Sequence, residues 1–345
     1  MNSEDKINTL IKEMAVPIGS LGLLEKQIRK IAKCWDNSYT QLNPCHLIFA
    51  ADNGIAEAGV VRQSQEITYL QAKNMVEGTA TISCFCRYNH IPYKVIDVGI
   101  NNEHSVGYNF KVAKGTKNFL KEPAMSTDEY KKAFNAGVMM IQKIKAENFN
   151  LISFGEMGIG NTTTSSAILH GLTGISPDFI VGYGANKTYP EIINTKKQVI
   201  AKGVHLYADK MKTPEDIIRF VGGFDIAAMC GAMIEGTKQN LPFVLDGFIT
   251  AVAFACAVQI FPAVKNFGMA SHISREPGML HALKLGSISE NDVPIRADLA
   301  LGEGTGAVLF VNMLSTMMYT IHHIAKISEM NDVLNKLHNH NELIV

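Results

Sequence analysis

Five short apolar runs constrain the fold of this chain more than any other feature. They are HLIFAAD (46–52), YKVIDVG (93–99), LISFGE (151–156), FIVGYG (179–184) and FVLDG (243–247). Each is continuous rather than alternating, ends in or near glycine or an acid, and is followed by a stretch with helical spacing. A strand that is apolar on both sides has to be covered on both faces, and a parallel sheet between helical layers does this. The runs therefore predict an α/β chain built on a parallel sheet. Ligands of such sheets bind outside the carboxyl ends of the strands. Asp52, Asp97, Glu156, Gly184 and Asp246 fall at those ends.

At 345 residues the chain exceeds the size at which a single core usually stops growing. A large domain over 30–306 and a small helical domain made of 1–29 with 307–345 are expected. The ends support this division. Residues 4–14 have amphipathic helical spacing, Ser20 stands where a cap could begin the next helix, and the segment after Ala307 is apolar and helical with no strand. Lys+Arg and Asp+Glu balance at 32 each, which gives no basic field for nucleic acid or an anionic membrane. The six cysteines form no C-x-x-C pair, as expected of reduced, buried thiols in a cytoplasmic protein. The polar start MNSEDKINTLIKEM is unlike a secretory leader, and the apolar run 248–264 reads as a buried helix rather than a membrane span.

The segment FGEMGIGNTTTSS (154–166) has the G-x-x-x-x-G spacing of a phosphate-cradling loop, with Asn161 where such loops carry lysine. Without the lysine, backbone amides, hydroxyls and the helix macrodipole remain, which suits a single phosphate at a helix N-terminus. Taken alone, the segment serves equally as a strand–turn–helix junction capped by Thr162 or Thr163. A second glycine turn, LALGEGTGAVLFV (299–311), puts Glu303 between glycines just before a helix. A third, ASHISREPG (270–278), carries hydroxyls and an arginine. A carboxylate between glycines lets backbone approach a ligand closely, and desolvation by a flat ligand would tune it as a proton acceptor. The competing role for Glu303 is an acid that favours a helix N-terminus. His322-His323 and the HNH at 338–340 share no spacing with acids or cysteines, so no metal site is expected.

In order along the chain, PIGSLGLLE (17–25), FAADNGI (49–55), EITYLQAKNM (66–75), FGEMGIGNTT (154–163), VGGFDIAAM (221–229), LDGFITAVA (245–253), SHISREPG (271–278) and LGEGTGA (301–307) resemble the nicotinate-nucleotide:5,6-dimethylbenzimidazole phosphoribosyltransferase family over almost the whole length. The resemblance implies a Rossmann-like sheet domain with a small helical domain, a dimer with active sites near the interface, and no cofactor or metal. It implies transfer of phosphoribose from nicotinate mononucleotide to a benzimidazole-type base. Glu303 matches the family's catalytic base and Glu156 a second active-site carboxylate. Gly158, Gly160, Asn161 and Thr162 match its mononucleotide loop. Lys196 matches a phosphate-contacting lysine, with Lys197 as the other register, and Ser274 matches another phosphate contact. Gln63, Gln71, Met157 and Leu301 fall where the family lines its acceptor-base pocket.

Three positions depart from the family pattern. Asn53 and Met279 stand where histidines are common, and Gln63 stands where a small hydroxyl residue often contacts the base. These departures leave room for a phenolic acceptor in a dimer of unlike subunits, or for a non-catalytic nucleotide-binding partner subunit. An NTP-dependent kinase would want the missing lysine.

Overall fold

The structure, a computed structural model, describes residues 2–36, 39–184 and 189–341, with side chains as far as 337. Two compact units are present: residues 1–42 with 312–345, and residues 43–311.

The larger unit carries six parallel strands: β1 (Pro44–Ala51), β2 (Tyr93–Gly99), β3 (Tyr108–Asn109), β4 (Leu151–Met157), β5 (Phe243–Leu245) and β6 (Gly268–Ala270). Their order across the sheet is β3-β2-β1-β4-β5-β6, the order of a dinucleotide-type doubly wound sheet. The expected parallel α/β architecture is therefore what the chain adopts. β1 is buried from Cys45 to Ala51 because helices cover both of its faces, which is the reason its sequence runs apolar without alternation. The chain reverses its winding between β1 and β4. The register there pairs Phe49 with Glu156 and Ala50 with Met157, so the carboxyl end of β4 opens at the switch point where ligands of such sheets bind.

One expected strand is absent among the described residues. In the run 179–184, residues Pro177–Ile180 form a short helix instead. The Ser176 side chain accepts from the Asp178 amide, and Pro177 sits at the first helical position, so the local capping signal overrides the apolar content. β3 and β6 were not expected. With two and three residues, they have no apolar run of their own. The run from Phe248 is a buried helix, Phe248–Ile260, followed by a short 3-10 turn. Among the described residues no helix is long and apolar enough to cross a membrane.

In the smaller unit, Asn2 caps helix Ser3–Glu13 by accepting from the Asp5 amide at 2.8 Å. Ile7 and Ile11 of this helix and Ile28 and Ile31 of helix Gly22–Cys34 are buried, and the two helices pack together. Ser20 does not cap that second helix. Its N-cap is Leu21 with no side-chain bond, because left-handed Gly19 and Gly22 set the entry turn. His322 bonds the Thr40 carbonyl at 2.6 Å, and His323 stacks on Tyr319. Among the described residues no group of His, Cys, Asp or Glu is arranged to hold a metal ion. The histidines at 338 and 340 lie outside the described side chains.

Candidate active site

Residues 302–304 form the turn that ends the loop before helix Thr305–His323. All three adopt positive φ: Gly302 +84°, Glu303 +63° and Gly304 +93°. For glycine this conformation is free, but for Glu303 it costs about 1–2 kcal/mol. A non-glycine residue held there is over-determined by its surroundings, as functional sites commonly are. Part of that constraint comes from β4. A Cβ on Gly155 would lie 2.1 Å from the Glu303 carbonyl oxygen, so only glycine lets the turn lie against the strand. The Glu303 side chain is then aimed and held. Its Oε1 accepts from Gln71 Nε2 at 2.7 Å and its Oε2 from the Ile82 amide at 3.2 Å. Burial raises its pKa and these two donors oppose the rise. The result is a carboxyl group fixed in orientation in a nearly dry place, with its pKa raised by burial.

Glu156 is the penultimate residue of β4 and is 6% exposed. It accepts a short hydrogen bond from the Asn161 side-chain amide, whose nitrogen also comes within 3.5 Å of Asp225 Oδ2. Burial pushes Glu156 up to about 8, and the nearby Asp225 and Asp246 add to the rise. Asp225 and Asp246 are each pushed to about 7, again chiefly by burial. Asp246 follows β5 and accepts from the amides of Gly304 (3.3 Å) and Ala307 (3.1 Å), which ties the 302–304 turn to the sheet. His272 approaches Asp246 at 3.8 Å, but burial lowers its pKa to about 4. At neutral pH this is a contact with a neutral ring, not an ion pair. The site is thus a cluster of buried acids whose pKa values are all raised.

The segment after β4 turns through Gly160 (φ +94°) into helix Asn161–Thr173. Neither Thr162 nor Thr163 is the cap. Gly160 holds that position without a side-chain bond, and this leaves the Thr162 hydroxyl for another partner. Lys196 donates to it at 3.0 Å and to the Gly182 carbonyl at 3.3 Å. Lys196 is 1% exposed, and burial lowers its pKa to about 8. Lys197 points away, to Asp178 at 3.0 Å. Asn161, in the lysine position of a P-loop, spends its side chain on acids rather than on an anion.

These groups surround one cavity of about 310 Å³, within the range of small-molecule sites. Glu156, Glu303, Gly158, Asn161, Thr162 and Ser274 contribute to its wall, and so do Gln63, Gln71, Met157 and Leu301. Gly160 and Lys196 do not reach the wall: Gly160 shapes the turn behind it, and Lys196 acts on it through Thr162. Gly184 lines the cavity although it is not at a strand end. Asp52 and Asp97, which are at strand ends, are occupied elsewhere. Asp52 binds Thr68 and the Asn101 amide, while Asp97 binds the Gly99 and Ile100 amides and pairs with Lys111. Two of the three departures lie off the cavity: Asn53 is buried behind the 158–160 turn and Met279 in the core, leaving only Gln63 at the wall. Sequence reasoning did not single out Asp225, Glu276 or His272. Asp225 lies in the first turn of helix Phe224–Lys238, and His272 and Glu276 line the cavity from within the 270–278 segment, where only the hydroxyls and the arginine had stood out.

A family model described as Phosphoribosyltransferase matches residues 2–331. Among curated relatives, a protein of Clostridium perfringens named nicotinate-nucleotide--dimethylbenzimidazole phosphoribosyltransferase is 34% identical over 94% of this chain and 90% of its own length. One of the same name from Vibrio cholerae is 34% identical over 94% of this chain and 96% of its own. The crystal structure of CobT from Thermus thermophilus superposes with a TM-score of 0.87 at 31% identity, covering 95% of this chain and 98% of that one. With its doubly wound sheet and its acid-lined cavity at the switch point, the chain belongs to the phosphoribosyltransferase family.

Proposed function

We propose that this enzyme moves the 5-phosphoribosyl group of nicotinate mononucleotide onto a nitrogen of a lower-ligand base such as 5,6-dimethylbenzimidazole, giving α-ribazole 5′-phosphate and nicotinate for cobamide assembly. The observation that carries the reading is that the Glu303 carboxylate and the N-terminal turn of helix Asn161–Thr173 open on one cavity. The nucleotide phosphate sits at that helix end, on Thr162 and Ser274, with the Lys196 ammonium behind. The positively charged pyridinium lies over the acid cluster. The C1′–N bond breaks with its electron pair passing to the ring nitrogen, so nicotinate leaves without needing an acid. Glu156, protonated in the free site at neutral pH, gives its proton to solvent when the cationic nucleotide binds, and the carboxylate, steadied by Asn161, offsets the positive charge that develops on the ribose. One ring nitrogen of the base attacks C1′, and the proton on its other nitrogen passes to Glu303. Gln71 and the Ile82 amide hold that carboxylate in line.

A phenolic acceptor is the second reading, favoured by Gln63 at the cavity wall. There the phenol oxygen attacks and its proton goes to Glu303. Incubating the chain alone with nicotinate mononucleotide and a panel of benzimidazoles, adenine, phenol and p-cresol, with products read by mass, tests both. A riboside phosphate of a benzimidazole is the expected product. Product from phenols alone would select the second reading. No nicotinate release with any acceptor would reduce the chain to a non-catalytic partner subunit.

A further inference from the structure

We propose that His46 and Ser153 form a buried strut that holds the backbone of Glu303, making His46 a positioning residue for the reaction. This rests on the reading of Glu303 as the proton acceptor. His46 lies in β1 and Ser153 in β4, in register and both fully buried. His46 Nδ1 is 2.8 Å from Ser153 Oγ, and Nε2 is 3.0 Å from the Glu303 carbonyl oxygen. A carbonyl only accepts, so Nε2 carries the hydrogen and Nδ1 accepts from the serine hydroxyl. Burial lowers the His46 pKa to about 4, so this neutral tautomer persists at neutral pH. The ring also lies against the turn itself. A Cβ on Gly304 would fall 2.0 Å from His46 Cε1.

The strut meets the turn at its one non-glycine residue of positive φ. Gly155 supports the same carbonyl from below, and Asp246 holds the next amide. Nothing in the cavity touches His46, which does not line the wall. Its effect on turnover therefore has to pass through Glu303. An apolar run that fills its centre with core residues has no packing reason to carry an imidazole with both nitrogens bonded.

The test uses variants of the whole chain, read by kcat and KM for nicotinate mononucleotide. His46→Leu removes both bonds. His46→Asn keeps a group near the Nδ1 position, and His46→Gln keeps a donor near the Nε2 position. Because a small misplacement of a catalytic group is costly, His46→Leu and His46→Asn should lower kcat by about tenfold or more, with KM within about twofold. His46→Gln should restore kcat to within about threefold of the parent. In the Glu303→Gln background, His46→Leu should cost less than about twofold, since the group it positions is already disabled. An equal loss in both backgrounds, or a folded His46→Gln as slow as His46→Asn, overturns the strut and leaves the base assignment standing. Full turnover by Glu303→Gln overturns the base assignment and the strut with it. If His46→Leu fails to fold, the comparison of Gln with Asn decides.

Discussion

Lys196→Met should change stability and affinity in opposite directions. The ammonium is almost fully buried, and desolvation drops its pKa from an ordinary 10.5 to about 8. That difference corresponds to about 3 kcal/mol of folding free energy spent keeping the group charged. The sign follows from the direction of the shift. The cost is fully present below about pH 8, where the lysine is charged both folded and unfolded, and it fades as pH rises from there towards 10.5. Methionine keeps most of the volume and removes the charge. Against the gain stands the loss of a donor to the Gly182 carbonyl and to Thr162 Oγ1, each about 0.5–1.5 kcal/mol. The variant should therefore be about 1 kcal/mol more stable in urea at pH 7. It should bind nicotinate mononucleotide about 10- to 150-fold more weakly, because the cation behind Thr162 is lost, a loss of the size of one hydrogen bond to a charged group at about 1.5–3 kcal/mol. Calorimetric titration across pH gives a second check: parent affinity should fall above about pH 8, and the variant should lose that fall. Unchanged affinity would refute the phosphate role of Lys196, and a variant clearly less stable than the parent would refute the desolvation cost assigned to its charge.

Glu156→Gln should flatten the pH dependence of stability. The folded carboxyl holds its proton up to about pH 8 against an ordinary 4.5, so stability is lost as pH rises through that interval. Melts at pH 8.5 should show the variant above the parent, and melts below pH 4.5 should show no gain; a variant less stable at pH 8.5 contradicts the assignment. Gly155→Ala places a methyl 2.1 Å from the Glu303 carbonyl oxygen and 2.8 Å from the Gly304 nitrogen, both backbone atoms that cannot swing aside. It should cost about 1–3 kcal/mol and, by moving the turn about an ångström, about a hundredfold in kcat. Retained turnover in a folded variant would show that the turn tolerates displacement.

The sheet was legible in the sequence where strands are long enough to be buried on both faces. β1, β2, β4 and β5 fall within or beside their apolar runs. The false strand at 179–184 was apolar but carried a Ser-Pro-Asp cap, a local signal that outranks composition over so few residues. β3 and β6 are edge strands too short to leave a pattern, and they are recognisable only from their pairing. Glu303 and Glu156 stood out because glycines flank them, and the structure gives those glycines a use in the turn at 302–304 and its contact with Gly155. Asp225 and His46 left no such mark. One begins a helix in an ordinary way and the other sits in an apolar run, and their place beside the site follows from strand order. Lys196 could be separated from Lys197 only by seeing which of them turns inward.

The most direct measurement is nicotinate release by the parent and by Glu303→Gln, with 5,6-dimethylbenzimidazole as acceptor, alongside calorimetric binding of nicotinate mononucleotide to both. Glutamine keeps the shape, accepts from the Ile82 amide with its oxygen and donates to Gln71 once the Gln71 amide flips, but cannot take up the acceptor's proton. Turnover should fall by about two orders of magnitude or more while nucleotide affinity stays within about twofold. Equal turnover in the two proteins would show that the proton leaves by another route.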